Sequence, residues 1–214
     1  MFRIRLPEGS CDIVKKILKI GYLQFCKIEY NSNGKACRKG SVDMKQVESA
    51  YFAGGCFWCI TPTFRELPGV FDVVSGYSGG EEENPSYEDV KYQRTGHRET
   101  IRIDYDPRQV DFVTLMDIFL ASVDPHDPDG QFIDRGFSYT LAVYYLSQEQ
   151  QKAAQERLRR LEEESGQPVY IRLEPFRSFW RAEEGHQDYY RKHPEEFRKE
   201  LEESGRTAYF EGRK

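Results

Sequence analysis

Two cysteines three residues apart are the most distinctive chemical feature of this chain. They belong to the run Gly-Gly-Cys-Phe-Trp-Cys at residues 54–59, which follows a short apolar segment at residues 50–53. The order of strand, glycine turn and helix places Cys56 at or near a helix start, where backbone N–H groups and the helix dipole stabilise a thiolate. Cys56 is therefore a candidate nucleophile, and Cys59, one helical turn away, is its candidate redox partner.

Residue spacing alone leaves other interpretations of this pair open. A single Cys-X-X-Cys is a weak motif, which is also compatible with two buried packing residues or with a zinc site completed by His97 and His186. The sequence contains no second Cys-X-X-Cys. Phe57 and Trp58 are of residue types usual in a core, but beside a reactive thiol they could form an aromatic slot for a methyl or sulfur group.

A series of further short motifs follows the cysteine pair in order. They are Phe64, Leu67-Pro68-Gly69-Val70, Gly76-Tyr77-Ser78-Gly79-Gly80, Asn84-Pro85-Ser86-Tyr87, Thr95-Gly96-His97-Arg98-Glu99, Tyr105-Asp106-Pro107, Asp134-Arg135-Gly136-Phe137-Ser138-Tyr139 and Glu184-Gly185-His186-Gln187-Asp188-Tyr189. Together with the cysteine run they resemble the signature of the methionine sulfoxide reductase A family. The resemblance extends from Ala50 to the C-terminus and implies reduction of the S epimer of methionine sulfoxide, a repair reaction for oxidised methionine.

The resemblance implies a role for each of several residues. Cys56 would attack the sulfoxide sulfur and be left as a sulfenic acid when methionine departs. Glu99 would protonate the sulfoxide oxygen, which requires burial to raise its pKa; without the resemblance it would be interpreted as a solvated residue at a strand end. Tyr87 and Tyr139 would donate hydroxyl hydrogen bonds to that oxygen. Asp134 would hold water or orient its neighbours.

Substrate contacts and the reductant also follow from the resemblance. Phe57 and Trp58 would bind the substrate, with His186 in a supporting role and His97 structural. Many relatives carry resolving cysteines in a C-terminal tail, but no cysteine follows Cys59 here. As in relatives with the Gly-Cys-Phe-Trp-Cys form, Cys59 would close a disulfide with the nucleophile, and thioredoxin or dithiothreitol would reduce it. No metal or organic cofactor would be required.

Composition limits the classes of function and the location of the protein. The chain has 214 residues and a net charge of -5, which provides no basic footprint for nucleic acid. The most apolar stretch, residues 17–26, is too short to span a bilayer, and no secretory signal is evident. Five cysteines at irregular spacings argue against a secreted disulfide framework. We therefore expect a cytoplasmic protein, acting as a monomer without nucleic acid or membrane.

Residues 1–43 differ from the rest of the chain. They hold nine basic and four acidic residues, although the whole chain is acidic, and they contain Cys11, Cys26 and Cys37. Nothing in them matches the family motifs. We expect an N-terminal extension that is either a disordered basic arm or the product of a mis-assigned start, with Met44 as the natural one. Residues 44–214 would form the catalytic domain.

Periodicity in the remainder predicts an α+β domain with a central mixed sheet flanked by helices, and the resemblance implies a ferredoxin-like roll. Strands are predicted at residues 50–53, 70–74, 101–105, 140–146 and 169–173. Helices are predicted after the caps Asp111 and Ser147, the second ending at Gly166, and Thr61-Pro62 is a possible start of the helix that follows the cysteines. Loops are predicted at residues 76–85 and 124–136.

Two other functions compete with the reductase, the first of them from a different class. A peptide-binding module with an aromatic slot and an inert or zinc-bound cysteine pair would not need a proton donor at Glu99. A general thiol–disulfide oxidoreductase would need a thioredoxin-like sheet and would act without sulfoxide selectivity.

Overall fold

The computed structural model describes residues 47–212, so residues 1–43 and their three cysteines lie outside the described residues. The strands are β1 Glu48–Gly54, β2 Val70–Ser78, β3 Arg98–Tyr105, β4 Gly130–Gln131, β5 Asp134–Arg135, β6 Leu141–Tyr145, β7 Ile171–Pro175 and β8 Trp180–Arg181. The helices are α1 Phe57–Arg65, α2 Tyr87–Lys91, α3 Phe112–Ser122, α4 Gln148–Ser165, α5 Tyr189–Lys192, α6 Pro194–Glu203 and α7 Arg206–Glu211, with 3-10 turns at Phe137–Tyr139 and Glu184–His186. None of these helices is long and apolar enough to cross a membrane.

Six of the strands form one mixed sheet in the order β7-β6-β1-β3-β2-β8. β6 and β7 are parallel, whereas the other neighbouring pairs are antiparallel. The two remaining strands, β4 and β5, form a separate short hairpin. The prediction of an α+β fold with a central mixed sheet is therefore confirmed.

The helices and a loop segment cover opposite faces of this sheet. Apolar residues of α1, α3 and α4 pack with one face in a single core, whose centre includes Phe52, Ile60 and Phe119. A smaller cluster on the other face is covered by Phe176 and Phe179. Because both faces of the sheet are covered, its strands carry apolar residues on both sides.

The alternation along β3 determines where its polar residues lie. Ile101, Ile103 and Tyr105 are fully buried in the helix-covered core, and side chains two residues apart share a face of a strand. Glu99 continues the same alternation at the start of the strand. Its carboxyl group is consequently directed to the apolar side of the sheet, where α1 packs.

The residues predicted to cap two helices do so in the structure. Asp111 precedes α3 and accepts a hydrogen bond of 2.7 Å from the N–H of Thr114. Ser147 precedes α4 and accepts one of 3.2 Å from the N–H of Gln150. Gly166 ends α4 with a φ of +64°. These hydrogen bonds satisfy N–H groups that a helix start leaves without partners, and the predicted bounds are confirmed.

The predicted start of the first helix at Thr61-Pro62 is wrong. α1 begins at Phe57 and contains Pro62 in its interior. The early start is stabilised because the N–H of Phe57 donates to Oε2 of Glu99 at 3.0 Å, and because the Thr61 hydroxyl donates to the Phe57 carbonyl at 2.7 Å. Tertiary contacts at the first turn therefore outweigh the local preference of proline for a helix start.

Two predicted loops and one strand bound also need correction. β2 continues to Ser78 because its last residues pair with β3, with Tyr77 opposite Glu99, so the loop begins later than residue 76. The segment 124–136 contains the β4–β5 hairpin. The strand predicted from residue 169 begins at Ile171, where pairing with β6 starts.

Candidate active site

A glycine turn between β1 and α1 delivers Cys56 to the site. Gly55 has a φ of +76°, a conformation that glycine adopts without steric cost. A Cβ at this position would lie 2.6 Å from the Cβ of Gln131, so the close approach of the two backbones also requires glycine. Cys56 follows immediately as the residue before the first helical turn and is only 5% exposed.

Cys56 and Cys59 are both reduced, buried thiols. The N–H of Cys59 donates to the Cys56 carbonyl at 3.1 Å, which closes the turn. A hydrogen bond between the thiols raises the pKa of Cys56 and lowers that of Cys59; burial raises the Cys56 value further, as do Cys59, Glu99 and Asp134 when they are ionised. At this helix start the N–H of Phe57 donates to Glu99. The stabilisation of a Cys56 thiolate by the helix start stays a prediction.

Glu99 is a buried carboxyl group beside the nucleophile. It is 1% exposed, and burial raises its pKa to about 8 despite the opposing hydrogen bond from the Phe57 N–H. Negative charge on Asp134 raises this pKa as well, whereas a hydrogen bond from the Tyr139 hydroxyl lowers it. Glu99 therefore carries a proton at neutral pH, as a general acid must.

Tyr139 and Tyr87 approach Glu99 from two other elements. Tyr139 ends the 3-10 turn Phe137–Tyr139, and Tyr87 begins α2. Burial, followed by the negative charge of Glu99, raises the pKa of both phenols, so both keep their protons as hydrogen-bond donors. Glu183, which the sequence interpretation missed, fixes Tyr87 by accepting its N–H at 2.9 Å and also accepts the Tyr77 hydroxyl at 2.8 Å.

A group of stacked rings lies beside the cysteine pair. Trp58 stacks on Tyr189 with ring centroids 3.9 Å apart, and Tyr87 stacks on His186 at 4.0 Å. Phe57 is fully buried and contacts this group with its ring 6.1 Å from that of Trp58. Both predicted substrate-binding aromatics are therefore near Cys56. Tyr189 belongs to the last of the sequence motifs, but no role was predicted for it.

Charged groups from three further elements face the cysteines. Asp134 of β5 is half-buried, which raises its pKa, and Arg206 of α7 opposes that rise. Glu200 of α6 also has a raised pKa, because it is partly buried and near Asp134. Arg206 is 1% exposed although the segment around it, residues 199–214, is rich in charged residues. The neighbouring Ser-Gly residues gave no indication in the sequence that this arginine is buried.

The two histidines considered as zinc ligands are engaged separately. His97 accepts the Gly80 N–H at 3.3 Å on Nδ1, and its Nε2 lies 2.9 Å from the Glu82 carbonyl oxygen. His186 stacks among the rings beside Trp58. Over residues 47–212 there is no group of three or more His, Cys, Asp or Glu side chains that could hold a metal ion. His97 thus orders the loop after β2.

Comparison with known proteins identifies the family. A family model described as peptide methionine sulfoxide reductase matches residues 48–213. The chain is 45% identical over 168 residues to the peptide methionine sulfoxide reductase MsrA of Halalkalibacterium halodurans, covering 77% of this chain and 95% of the relative. The protein belongs to the peptide methionine sulfoxide reductase A family. It is accordingly an oxidoreductase.

Further members of this family are similar in sequence and fold. MsrA 2 of Staphylococcus aureus strain Mu50 is 43% identical over 166 residues, covering 77% of this chain and 94% of the relative. The reduced form of Mxr1 from Saccharomyces cerevisiae superposes with a TM-score of 0.68 at 26% identity, covering 72% of this chain and 90% of that one. For methionine sulfoxide reductase A of Corynebacterium diphtheriae the TM-score is 0.64 at 28% identity, covering 71% and 77%.

Proposed function

We propose that this reductase acts on the S epimer of methionine sulfoxide, both within proteins and as the free amino acid, and so repairs oxidised proteins. The observation that carries the proposal is the position of Glu99. A carboxyl group that is protonated near neutral pH accepts the N–H next to Cys56 and lies beside two phenol donors. A peptide-binding module would have no need of such an acid.

In the first half-reaction, Cys56 attacks the sulfoxide sulfur. The Cys56 S–H proton and the proton on Glu99 are available to the sulfoxide oxygen, and Tyr87 and Tyr139 donate hydrogen bonds to it as charge develops. Transfer of the oxygen to Cys56 releases methionine and leaves a sulfenic acid. The thiol and the sulfoxide together contain all the atoms of the two products, so no external electron source enters this step.

In the second half-reaction, the sulfur of Cys59 attacks the Cys56 sulfenic acid. A disulfide forms, and the hydroxyl group leaves as water with the proton that Cys59 gives up. Thioredoxin or dithiothreitol then reduces the disulfide by thiol exchange, which supplies the two electrons that the sulfoxide consumed. Both electrons travel through thiols, so the cycle needs no metal or organic cofactor.

The stacked rings support recognition of a methylated sulfur. Trp58 offers apolar surface next to Cys56 and is backed by the buried ring of Phe57, and contacts between sulfur and aromatic rings are favourable. A chiral sulfoxide presents its oxygen to Glu99 and its methyl group to the rings in only one configuration. The asymmetry of the site therefore favours a single epimer.

Turnover of each sulfoxide epimer, as free amino acid and within a peptide, tests the proposal. We expect methionine from the S epimer alone, with either thioredoxin or dithiothreitol as reductant. Equal rates for both epimers would contradict the stereochemical assignment. Reduction of a simple disulfide substrate without any sulfoxide reduction would instead support the general oxidoreductase.

A further inference from the structure

Arg206 is a buried arginine whose hydrogen-bonding capacity is largely unused. Its side chain is 1% exposed, and Nη1 donates to the carbonyl oxygen of Ser122 at 2.9 Å. Nε and Nη2 have no hydrogen-bond partner among residues 47–212. A buried guanidinium without a full set of partners is costly, so its retention at this place requires an explanation.

The unpartnered end of Arg206 is directed to the cysteine turn. Nη2 lies 3.5 Å from the point where a Cβ on Gly55 would stand, and Gly55 directly precedes Cys56. The ring of Phe132 covers the guanidinium from another side at 4.5 Å, which keeps the group in place and excludes solvent. The positive charge is therefore fixed next to the turn that holds both thiols.

We propose that Arg206 is a positioning residue for the second half-reaction, where its guanidinium holds Cys59 in the thiolate form that closes the disulfide with Cys56. This inference rests on the proposed function, which assigns Cys59 as the resolving thiol. The thiolate attacks the sulfenic sulfur, the S–O bond breaks, and the departing hydroxide takes up the proton that Cys59 lost. The products are a disulfide and water, with no further reactant.

The charges that face Cys59 act in opposite directions. The hydrogen bond from Cys56 lowers the pKa of Cys59, and so does Arg206; burial and the carboxylates of Asp134 and Glu200 raise it. Glu99 also interacts with Cys59 but is mostly protonated at neutral pH. Once Cys56 has become a sulfenic acid, its thiol no longer donates to Cys59. Arg206 is then the remaining group in this set that favours the thiolate.

Rapid-quench measurement of both half-reactions between pH 6 and 9 tests this role. Methionine release reports the first step, and alkylation with mass spectrometry reports the Cys56–Cys59 disulfide. In Arg206→Met we expect unchanged methionine release, disulfide formation about tenfold slower at pH 7, and its pH profile displaced upward by about one unit. Arg206→Lys, which keeps the positive charge, should largely restore the rate of disulfide formation and its pH profile. Arg198→Met, at an exposed position, is the matched control.

Other outcomes separate this proposal from the one it rests on. Equal slowing of both steps with no displaced pH profile, or no slowing at all, would overturn the role of Arg206 alone. Absence of a Cys56–Cys59 disulfide in the parent enzyme would overturn the resolution scheme and this role with it. If Arg206→Met does not fold, Glu200→Gln decides: removal of an opposing carboxylate should displace the profile of disulfide formation downward, and an unmoved profile would count against electrostatic control of Cys59.

Discussion

Cys56 and Cys59 lie on the same helical turn, yet different kinds of side chain surround them. Cys56 is near Glu99, an acid that burial keeps protonated at neutral pH, and its own pKa is raised by the hydrogen bond with Cys59 and by burial. Cys59 is near the fixed positive charge of Arg206. In the proposed cycle, the first environment supplies protons to an oxygen atom, whereas the second favours a thiolate. A single turn of helix can thus serve two chemical steps because separate elements supply its neighbours.

The strongest test of this contrast removes the sulfur of the first environment. Cys56→Ser should abolish sulfoxide reduction with every reductant, because Cys56 directly precedes the Phe57 N–H that donates to Glu99 and is the proposed nucleophile. Methionine release in a single turnover is the measurement, with Cys59→Ser as the control that keeps the nucleophile. Substantial release from Cys56→Ser would assign the attack to a different group.

The next largest effect should come from the acid itself. Glu99→Gln should slow methionine release by about two to four decades, the ordinary contribution of a general acid. The parent rate should also fall as the pH rises through about 8, since Glu99 must be protonated to act. The residual rate of Glu99→Gln should not show this decline with rising pH.

Two observations would weaken this assignment. Glu164→Gln on the exposed surface of α4 should keep the parent rate and pH profile. A parent rate that does not decline above pH 8 would indicate that the proton comes from another donor, of which Tyr87 and Tyr139 are the nearest.

Removal of the second thiol should affect only the second environment. Cys59→Ser should still release one methionine per enzyme but lose most of its turnover with thioredoxin. Dithiothreitol should maintain part of the activity, because a small thiol can attack a sulfenic acid directly. Full thioredoxin-dependent turnover would mean that Cys11, Cys26 or Cys37 resolves the sulfenic acid, or that thioredoxin attacks it.

The turn that joins the two environments can be tested through stability. Gly55→Ala should lower the free energy of unfolding by about 2–4 kcal/mol, since it combines an unfavourable φ with a clash against Gln131. Gly166→Ala is the control, because its φ is similarly positive but nothing lies within 4 Å of the added Cβ. Gly166→Ala should lower the free energy of unfolding by only about 1 kcal/mol. Equal losses in urea denaturation would contradict the proposed clash.

The smallest effect is expected for the N-terminal extension. The family model begins at residue 48, and the site is built from residues after Gly54. Deletion of residues 1–43 should leave thioredoxin-dependent turnover and the urea midpoint unchanged. A loss of either would give the extension a function.

Local patterns in the sequence were sufficient for several elements. The caps Asp111 and Ser147 satisfy N–H groups within their own helices, and the alternation of β3 depends on neighbouring residues alone. The start of α1 could not be obtained in this way, because it depends on Glu99, which is 42 residues away from Phe57.

The site shows the same division. The cysteines and the motifs that carry Glu99, Tyr87, Tyr139 and Asp134 are recognisable in the amino-acid sequence by themselves. The raised pKa of Cys56 could not be foreseen, since it arises from burial and from charges on other elements. Arg206 was also missed: one arginine in a charged tail looks like its exposed neighbours until α7 brings it against Phe132.

Pro62 in the interior of α1 has a consequence for how readily the disulfide can close. Proline has no N–H, so the carbonyl of Trp58 lacks the partner that a helix would give it four residues later. The first turn is therefore attached to the remainder of α1 by one backbone hydrogen bond fewer than in a helix without proline. Amide hydrogen exchange should find this turn opening well below the free energy of global unfolding, which would let two sulfurs approach while the sheet beneath them stays intact.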